Sequence, residues 1–333
     1  MNSRLLSICE RYIKNRDIIK AAFPGENDYI HPVCASIFTG KEAVADVDTI
    51  KNYHKLLKEK VGAFSYLRGA SKAVTVSMLS IDEDPVKRLD STINAYASLK
   101  NHFPSGNYLP LAATILSGEA EESSFDDIAT RAREIYDLMR KEHPFLTSEE
   151  DVVYALLFAF SSERNADTIT EIERIYKIAK EKFHSLNAVQ ALSHVLALCD
   201  GRADEKFERT AALFDVLKAN KLKYGTDYEL ATLGVLAMLP ATVEEILADM
   251  KDVNDFLITQ KGYGKFFGFS KNIRLMHASM IVSTYRLGDT GNTVGAAAAV
   301  SAQMAIAAQQ AAIIAAQNAA LCSIMAANSA SHS

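Results

Sequence analysis

The sequence predicts an all-α chain made of repeated two-helix hairpins, and three observations carry that prediction. Aromatic residues recur near the C-terminal ends of charged amphipathic segments: Tyr53, Tyr96, Tyr136, Tyr176, Phe214 and Phe256, spaced by 43, 40, 40, 38 and 42 residues. That period is the one helical-hairpin repeats use. Short, almost wholly apolar segments lie between the charged ones, and helix-start signals precede several segments of both kinds.

Composition agrees. Of 333 residues, 49% are hydrophobic and 23% charged, the balance of a folded helical-repeat chain rather than a disordered one. A core of that size needs no disulfide or metal. The formal net charge of -5 gives no global attraction to nucleic acid or anionic lipid. Cys9, Cys34, Cys199 and Cys322 form no CxxC pair and read as free thiols of a reducing compartment. Arg4, Glu10, Arg11 and Lys14 interrupt the N-terminal apolar residues, so no secretory signal is expected and the protein reads as cytoplasmic.

Residues 1–23 place Leu5, Ile8, Cys9, Tyr12 and Ile13 on one face and read as an N-terminal capping helix, ended by Pro24 and Gly25. Residues 24–287 form the repeat domain. Its charged outer helices show one apolar face, as in Ile169, Ile172, Ile175, Tyr176 and Ala179, with acid early and base late to complement the helix dipole. Asp84 before Pro85, Ser124 with Asp127, and Thr242 with Glu245 mark their starts. The inner segments, 72–79, 109–116, 152–160, 189–198, 230–239 and 272–287, are apolar nearly all round, as helices with protein on both sides are. Ala73, Ala112, Ala155, Ala191 and Ala231 would let a partner helix approach closely, and Ser148 with Asp151 and Thr226 with Glu229 cap two of these segments. A short apolar run bounded by turns could be a buried strand; the Ala and Leu content favours helix. Such hairpins stack into an α-solenoid or close into an α/α ring, and repeat length does not separate the two.

Residues 288–333 form an alanine-rich C-terminal helix and tail. Gly288, Gly291 and Gly295 lead into residues 296–327, about half alanine and without charge, where alanine's propensity predicts a long helix. Val300, Met304, Ile314, Leu321 and Met325 follow a heptad seam that Asn318 weakens, and Gln303, Gln310 and Gln317 line a second stripe. The glutamines make membrane insertion unfavourable, so this segment is expected to pack against protein: the last inner helix, which lacks an outer partner, or a second copy in a homo-oligomer.

Candidate chemistry is sparse. His102, His143 and His184 recur at intervals of 41 residues, but residues one helix pair apart are about 10 Å from each other and cannot share a zinc. They read as junction residues, and His194 and His277 as hydrogen-bonded core residues. The runs Asp82, Glu83, Asp84 and Glu149, Glu150, Asp151 fall at helix starts and lack the spacing of a calcium loop. Residues 261–271 interleave Lys261, Lys265 and Lys271 with Gly262, Gly264, Gly268, Tyr263, Phe266, Phe267 and Phe269. No GKS or GKT follows, so a nucleotide loop is not indicated. Lys261, Lys265, Lys271, Tyr263 and Phe267 remain the candidate contacts for a partner or an anion. No catalytic, cofactor or metal residue stands out.

The segments "NYHKLLKEKVGAFSYLRG", "HPFLTSEEDVVYALLFAF" and "AIAAQQAAIIAAQNAA" resemble the uncharacterised bacterial family catalogued as domain of unknown function 4003. The resemblance spans nearly the whole chain. It implies a bacterial cytoplasmic protein and brings no catalytic residue with it. The repeat architecture, which offers an extended surface, sets the expected function: a non-enzymatic binding or scaffolding role towards a protein or peptide. The alternatives are an enzyme with its site inside an α/α ring and a structural oligomer joined through residues 296–327.

Overall fold

The structure is a computed structural model that describes residues 1–264 and 268–288. Among the described residues it holds fourteen α-helices, two 3-10 turns and no strand. Longer charged helices alternate with apolar ones that are shorter up to α12, the last apolar helix being as long as the charged ones. The charged set is α1 (Ser3–Ala22), α3 (Val47–Lys60), α5 (Pro85–His102), α7 (Phe125–Glu142), α9 (Asn165–Ala179), α11 (Ala203–Ala219) and α13 (Val243–Ile258). The apolar set is α2 (Ile30–Gly40), α4 (Lys72–Leu79), α6 (Leu109–Glu119), α8 (Asp151–Ala159), α10 (Leu186–Ala197), α12 (Leu230–Ala237) and α14 (Lys271–Gly288). Every residue of α8 and of α12 is buried, as apolar helices with protein on both faces must be.

The N-terminal helix is bonded to the chain that follows it: Asn15 Nδ2 donates to Thr39 Oγ1 at 3.2 Å and to the Ala43 carbonyl at 3.0 Å, and its Oδ1 accepts from the Ala45 amide. These bonds tie α1 to the end of α2, a helix whose Pro32 sits in the first turn, where no intrahelical donor is required.

The six repeat aromatics all fall on charged helices, but they flank the core instead of filling it. Tyr96, Tyr176 and Phe214 are buried, whereas Tyr53, Tyr136 and Phe256 are half-buried. From α5 to α11 the innermost positions lie one residue before and three after the aromatic: Ala95 and Leu99, Ile135 and Met139, Ile175 and Ala179, Leu213 and Leu217. The ring is left at the helix edge, where a cation covers it: Lys100 over Tyr96, Arg133 over Tyr136, Lys180 over Tyr176 and Lys182 over Phe214, at 5.9, 5.5, 5.8 and 5.9 Å.

A second device recurs at the C-terminal ends of the apolar helices, whose last carbonyls have no intrahelical donor. Arg88 of α5 donates to the Thr114 and Ser117 carbonyls of α6, both at 2.8 Å. Arg131 of α7 reaches the Ala159, Ser161 and Glu163 carbonyls at the end of α8. Arg209 of α11 reaches those of Ala237, Leu239 and Ala241 after α12. On α9 the position of Arg131 and Arg209 is Glu171, and Lys206 of α11 takes over. Its Nζ lies 2.9 Å from the Cys199 carbonyl behind α10 and 2.9 Å from Glu171.

Of the caps read from sequence, Asp84 accepts from the Lys87 amide behind Pro85, and Thr242 with Glu245 forms a complete capping box. Asp151 accepts from the Ser148 amide at 2.8 Å. Two expectations fail. Ser124 ends the 3-10 turn Glu122–Ser124 with helical backbone angles and makes no side-chain cap. Glu229 is itself the N-cap residue of α12 and makes none either.

The chain divides into two compact units, Glu10–Ile169 and a second that joins Met1–Cys9 to the residues from Thr170 onward. These limits differ from the sequence-read boundaries at 23/24 and 287/288. Within the second unit the start of α1 lies beside α14. Asn2 Nδ2 donates to Tyr285 Oη at 2.8 Å, and Arg4 sits 5.1 Å over the Tyr285 ring while bonding its carbonyl. So α14 has α13 as its pair partner and the first turn of α1 on this flank, and it is not left without an outer neighbour. The alanine-rich segment, residues 296–327, lies outside the described residues.

Candidate functional site

The glycine-rich loop between α13 and α14 is a structural corner. Tyr263 is fully buried, and its hydroxyl meets His277 Nδ1 at 2.8 Å. Phe269 and His277 pack against the ring with centroids 5.2 and 5.6 Å away. The glycines make this possible. The Phe269 amide donates to the Gly262 carbonyl at 2.9 Å, and a Cβ on Gly268 (φ +142) would lie 2.1 Å from that same oxygen. Tyr263 as a partner contact is therefore corrected: its ring is core. Lys271 is exposed, but its Nζ is bonded to the Lys221 carbonyl at 2.7 Å. Lys261 is exposed. Lys265 and Phe267 lie outside the described residues, so the structure brings no lysine cluster together here.

The junction from α3 to α4, residues 61–71, has the features of a contact site that the other loop lacks. Phe64 is wholly exposed (101%) and Tyr66 is 40% exposed, beside a buried Leu67 that anchors the 3-10 turn Tyr66–Arg68. An apolar ring in water forgoes roughly 1.5–3 kcal/mol of burial. Gly69 closes the turn, because a Cβ there would approach the Tyr66 carbonyl to 2.9 Å. Lys58 on one side and Arg68 on the other form no ion pair among the described residues, while Lys72 pairs with Glu26.

Beneath this loop, polar groups are left without partners. Ser71, the N-cap residue of α4, is only 6% exposed and makes no side-chain cap, and its Oγ has no hydrogen-bond partner. The first-turn amides of Ala73 and Val74, both buried, find no acceptor among the described residues. His54 Nε2 on α3 is buried and equally unpartnered, with its ring 5.1 Å from that of Phe23. Each such group costs on the order of 1–3 kcal/mol. Burial lowers the His54 pKa, Lys58, Lys72 and Arg68 lower it further, and Glu26 opposes them. The local field is positive.

Two pairs further on, residues 143–150 between α7 and α8 carry Phe145, which is 97% exposed. The sequence reading passed over both phenylalanines. The signal was present in "GAFSYLRG", which mixes glycine, aromatics and a base much as residues 261–271 do.

Elsewhere the titratable groups are structural. His102 Nε2 meets Asp126 Oδ1 at 2.9 Å, joining the end of α5 to the start of α7 as a junction residue would. Burial pushes the Cys34 thiol up to about 12 and the Cys199 thiol up to about 11, so neither is a ready nucleophile. Tyr224 Oη lies 2.7 Å from Thr232 Oγ1 and 2.9 Å from Ser279 Oγ, a chain linking α12 to α14. Among the described residues no three His, Cys, Asp or Glu side chains gather as metal ligands, and no helix is long and apolar enough to cross a membrane.

A family model described as a protein of unknown function, DUF4003, matches residues 17–311. The chain belongs to that family. The matched span begins within α1 and runs past α14. A relative, the uncharacterized protein YeaA of Bacillus subtilis (strain 168), is 22% identical over 218 residues. The match takes in 64% of this chain and 66% of the relative, just under two thirds of its length. No solved structure matches.

Proposed function

We propose that this DUF4003 chain is a non-enzymatic binding protein, whose stacked hairpins hold the α3–α4 junction out to a cytoplasmic protein or peptide. The observation that carries the reading is Phe64, fully exposed between two unpaired cations. Exposed aromatic residues with an arginine nearby are among the residue types that interfaces are enriched in, and loops on a rigid repeat scaffold are where binding residues concentrate. The partner would offer an apolar pocket with acidic groups around it. The test is affinity capture from bacterial lysate with the full chain and with the Phe64→Ser/Phe145→Ser variant, circular dichroism confirming equal helicity. A protein held by the former and lost by the latter is the expected result. Equal capture by both, or none by either, would overturn the reading.

A further inference from the structure

We propose that the corner between α1 and α2, residues 23–29, is a clasp that acid opens, with the two histidines that flank Phe23 as its sensors. Phe23 is 4% exposed, and each histidine touches a different part of it. His31, in the first turn of α2 and 2% exposed, places Nε2 3.1 Å from the Phe23 carbonyl. His54 of α3 sets its ring 5.1 Å from the Phe23 ring. The two acids of the corner are drawn to different helices: Asp28 meets Lys20 of α1 at 2.6 Å, and Glu26 pairs with Lys72 of α4.

Protons decide whether this arrangement holds. A carbonyl only accepts, which assigns the hydrogen of neutral His31 to Nε2 and leaves Nδ1 a bare lone pair. That lone pair faces Asp28 Oδ1 at 3.5 Å. A second proton on His31 therefore makes Nδ1 a rival of Lys20 for the same carboxylate. His54 is worse placed for a proton, because its buried Nε2 has no hydrogen-bond partner. As a neutral ring it can keep its hydrogen on Nδ1 and leave Nε2 an unused acceptor. As a cation it buries a donor that nothing meets, and the attraction of the Phe23 ring is the smaller effect.

Asp28, Glu26 and Lys20 face His31, and Lys58, Lys72, Arg68 and Glu26 face His54. From α4, which packs on α2, Lys72 is the only charged residue. Burial is the largest influence on both rings and holds both below the ordinary 6.5. The Phe23 carbonyl and Asp28 oppose it at His31, and at His54 the three bases reinforce it. Between the lowered values and 6.5 the folded chain thus binds fewer protons than the unfolded one. The corner is firm above 6.5 and loosens as pH falls through that window. Asn15 does not titrate and still ties α1 to Thr39, Ala43 and Ala45, so opening is confined to the corner and bares Phe23.

The test is hydrogen exchange on the full chain at about pH 7.5 and 5.5, the range in which histidine titrates, at constant ionic strength and corrected for the intrinsic pH dependence of exchange. The reporters are the amides of Glu26 and Ile30, which donate to the Phe23 and Asn27 carbonyls at 3.1 and 3.0 Å. Their protection is expected to fall severalfold at the lower pH, while α6 and α8 keep theirs. His54→Gln should shrink that fall, and His31→Gln added to it should abolish it. NMR titration of the unmodified chain needs no variant: both imidazoles should titrate below 6.5, and the Phe23 ring signals should move with them. Equal protection at the two pH values, a loss spread evenly over α6 and α8, a fall of the same size in both variants, or either imidazole titrating at or above 6.5 overturns the clasp.

Discussion

Glu229 is a carboxyl group enclosed by its own helix start: it is buried, its Oε2 has no partner, and a Cβ on Gly225 would touch that oxygen at 2.2 Å. Burial raises its pKa above the ordinary 4.5. The folded chain then binds more protons than the unfolded one between 4.5 and the raised value, so stability falls as pH climbs through that window and stays lower above it. Glu229→Gln is expected to raise the urea midpoint at pH 7 and leave it unchanged at pH 4. Some slope should persist, because burial also raises Asp249. Arg209 is the converse case, a cation whose Nε and Nη2 donors meet three carbonyls. Arg209→Ala strands three carbonyls and should cost about 2–3 kcal/mol in the same measurement, with Arg209→Lys recovering part of it, as Lys206 does for α10. At this scale the sequence was least legible. Nothing in a helical period distinguishes Arg131 or Arg209 from a solvated surface base, because the carbonyls they meet lie 28 to 32 residues away. The exposed Phe64 was equally hidden, since a lone phenylalanine in a loop is assigned to the interior by default.

Helix boundaries were legible wherever the signal was local. The α4 limits and the Asp84–Pro85 start of α5 emerge as read, and the Thr242–Glu245 box forms both of its bonds, the Thr242 amide to Glu245 at 2.7 Å and the Glu245 amide to Thr242 at 3.2 Å. Thr242→Ala should therefore cost about 1 kcal/mol by thermal unfolding. Ser124→Ala should cost close to nothing, although the two positions look alike in sequence. The difference is backbone: Thr242 is extended at ψ 161, whereas Ser124 sits at ψ 0 because a 3-10 turn feeds straight into α7. An N-cap side chain reaches the first-turn amides only from extended geometry, and the residues that set that geometry precede the cap. α2 escaped notice for a related reason. Pro24, Gly25 and Pro32 look like interruptions, yet Pro32 falls in the one turn of a helix that tolerates it.

For the whole molecule, the period of about 40 residues was sufficient to give the helical pairs from α3 onward, because those pairs repeat the same apolar spacing. What periodicity cannot encode is which distant segment completes a unit. Asn2 and Tyr285 are 283 residues apart in sequence and bonded in space. Arg4→Ala combined with Tyr285→Ala should reduce amide hydrogen-exchange protection in α14 while leaving α4 and α6 as they were. Uniform loss, or none, would contradict a unit that includes residues 1–9. That pairing also sets an order of events during synthesis. Residues 10–169 can become compact as soon as they leave the ribosome, but residues 1–9 must wait until α14 exists, roughly 6 to 24 s after residue 169 is made at ordinary elongation rates. Contacts of such separation are slow to close even in a complete chain. Leu5, Ile8 and Cys9 are thus apolar side chains that stay uncovered from their own synthesis until the rest of their unit exists, time in which a chaperone can meet them.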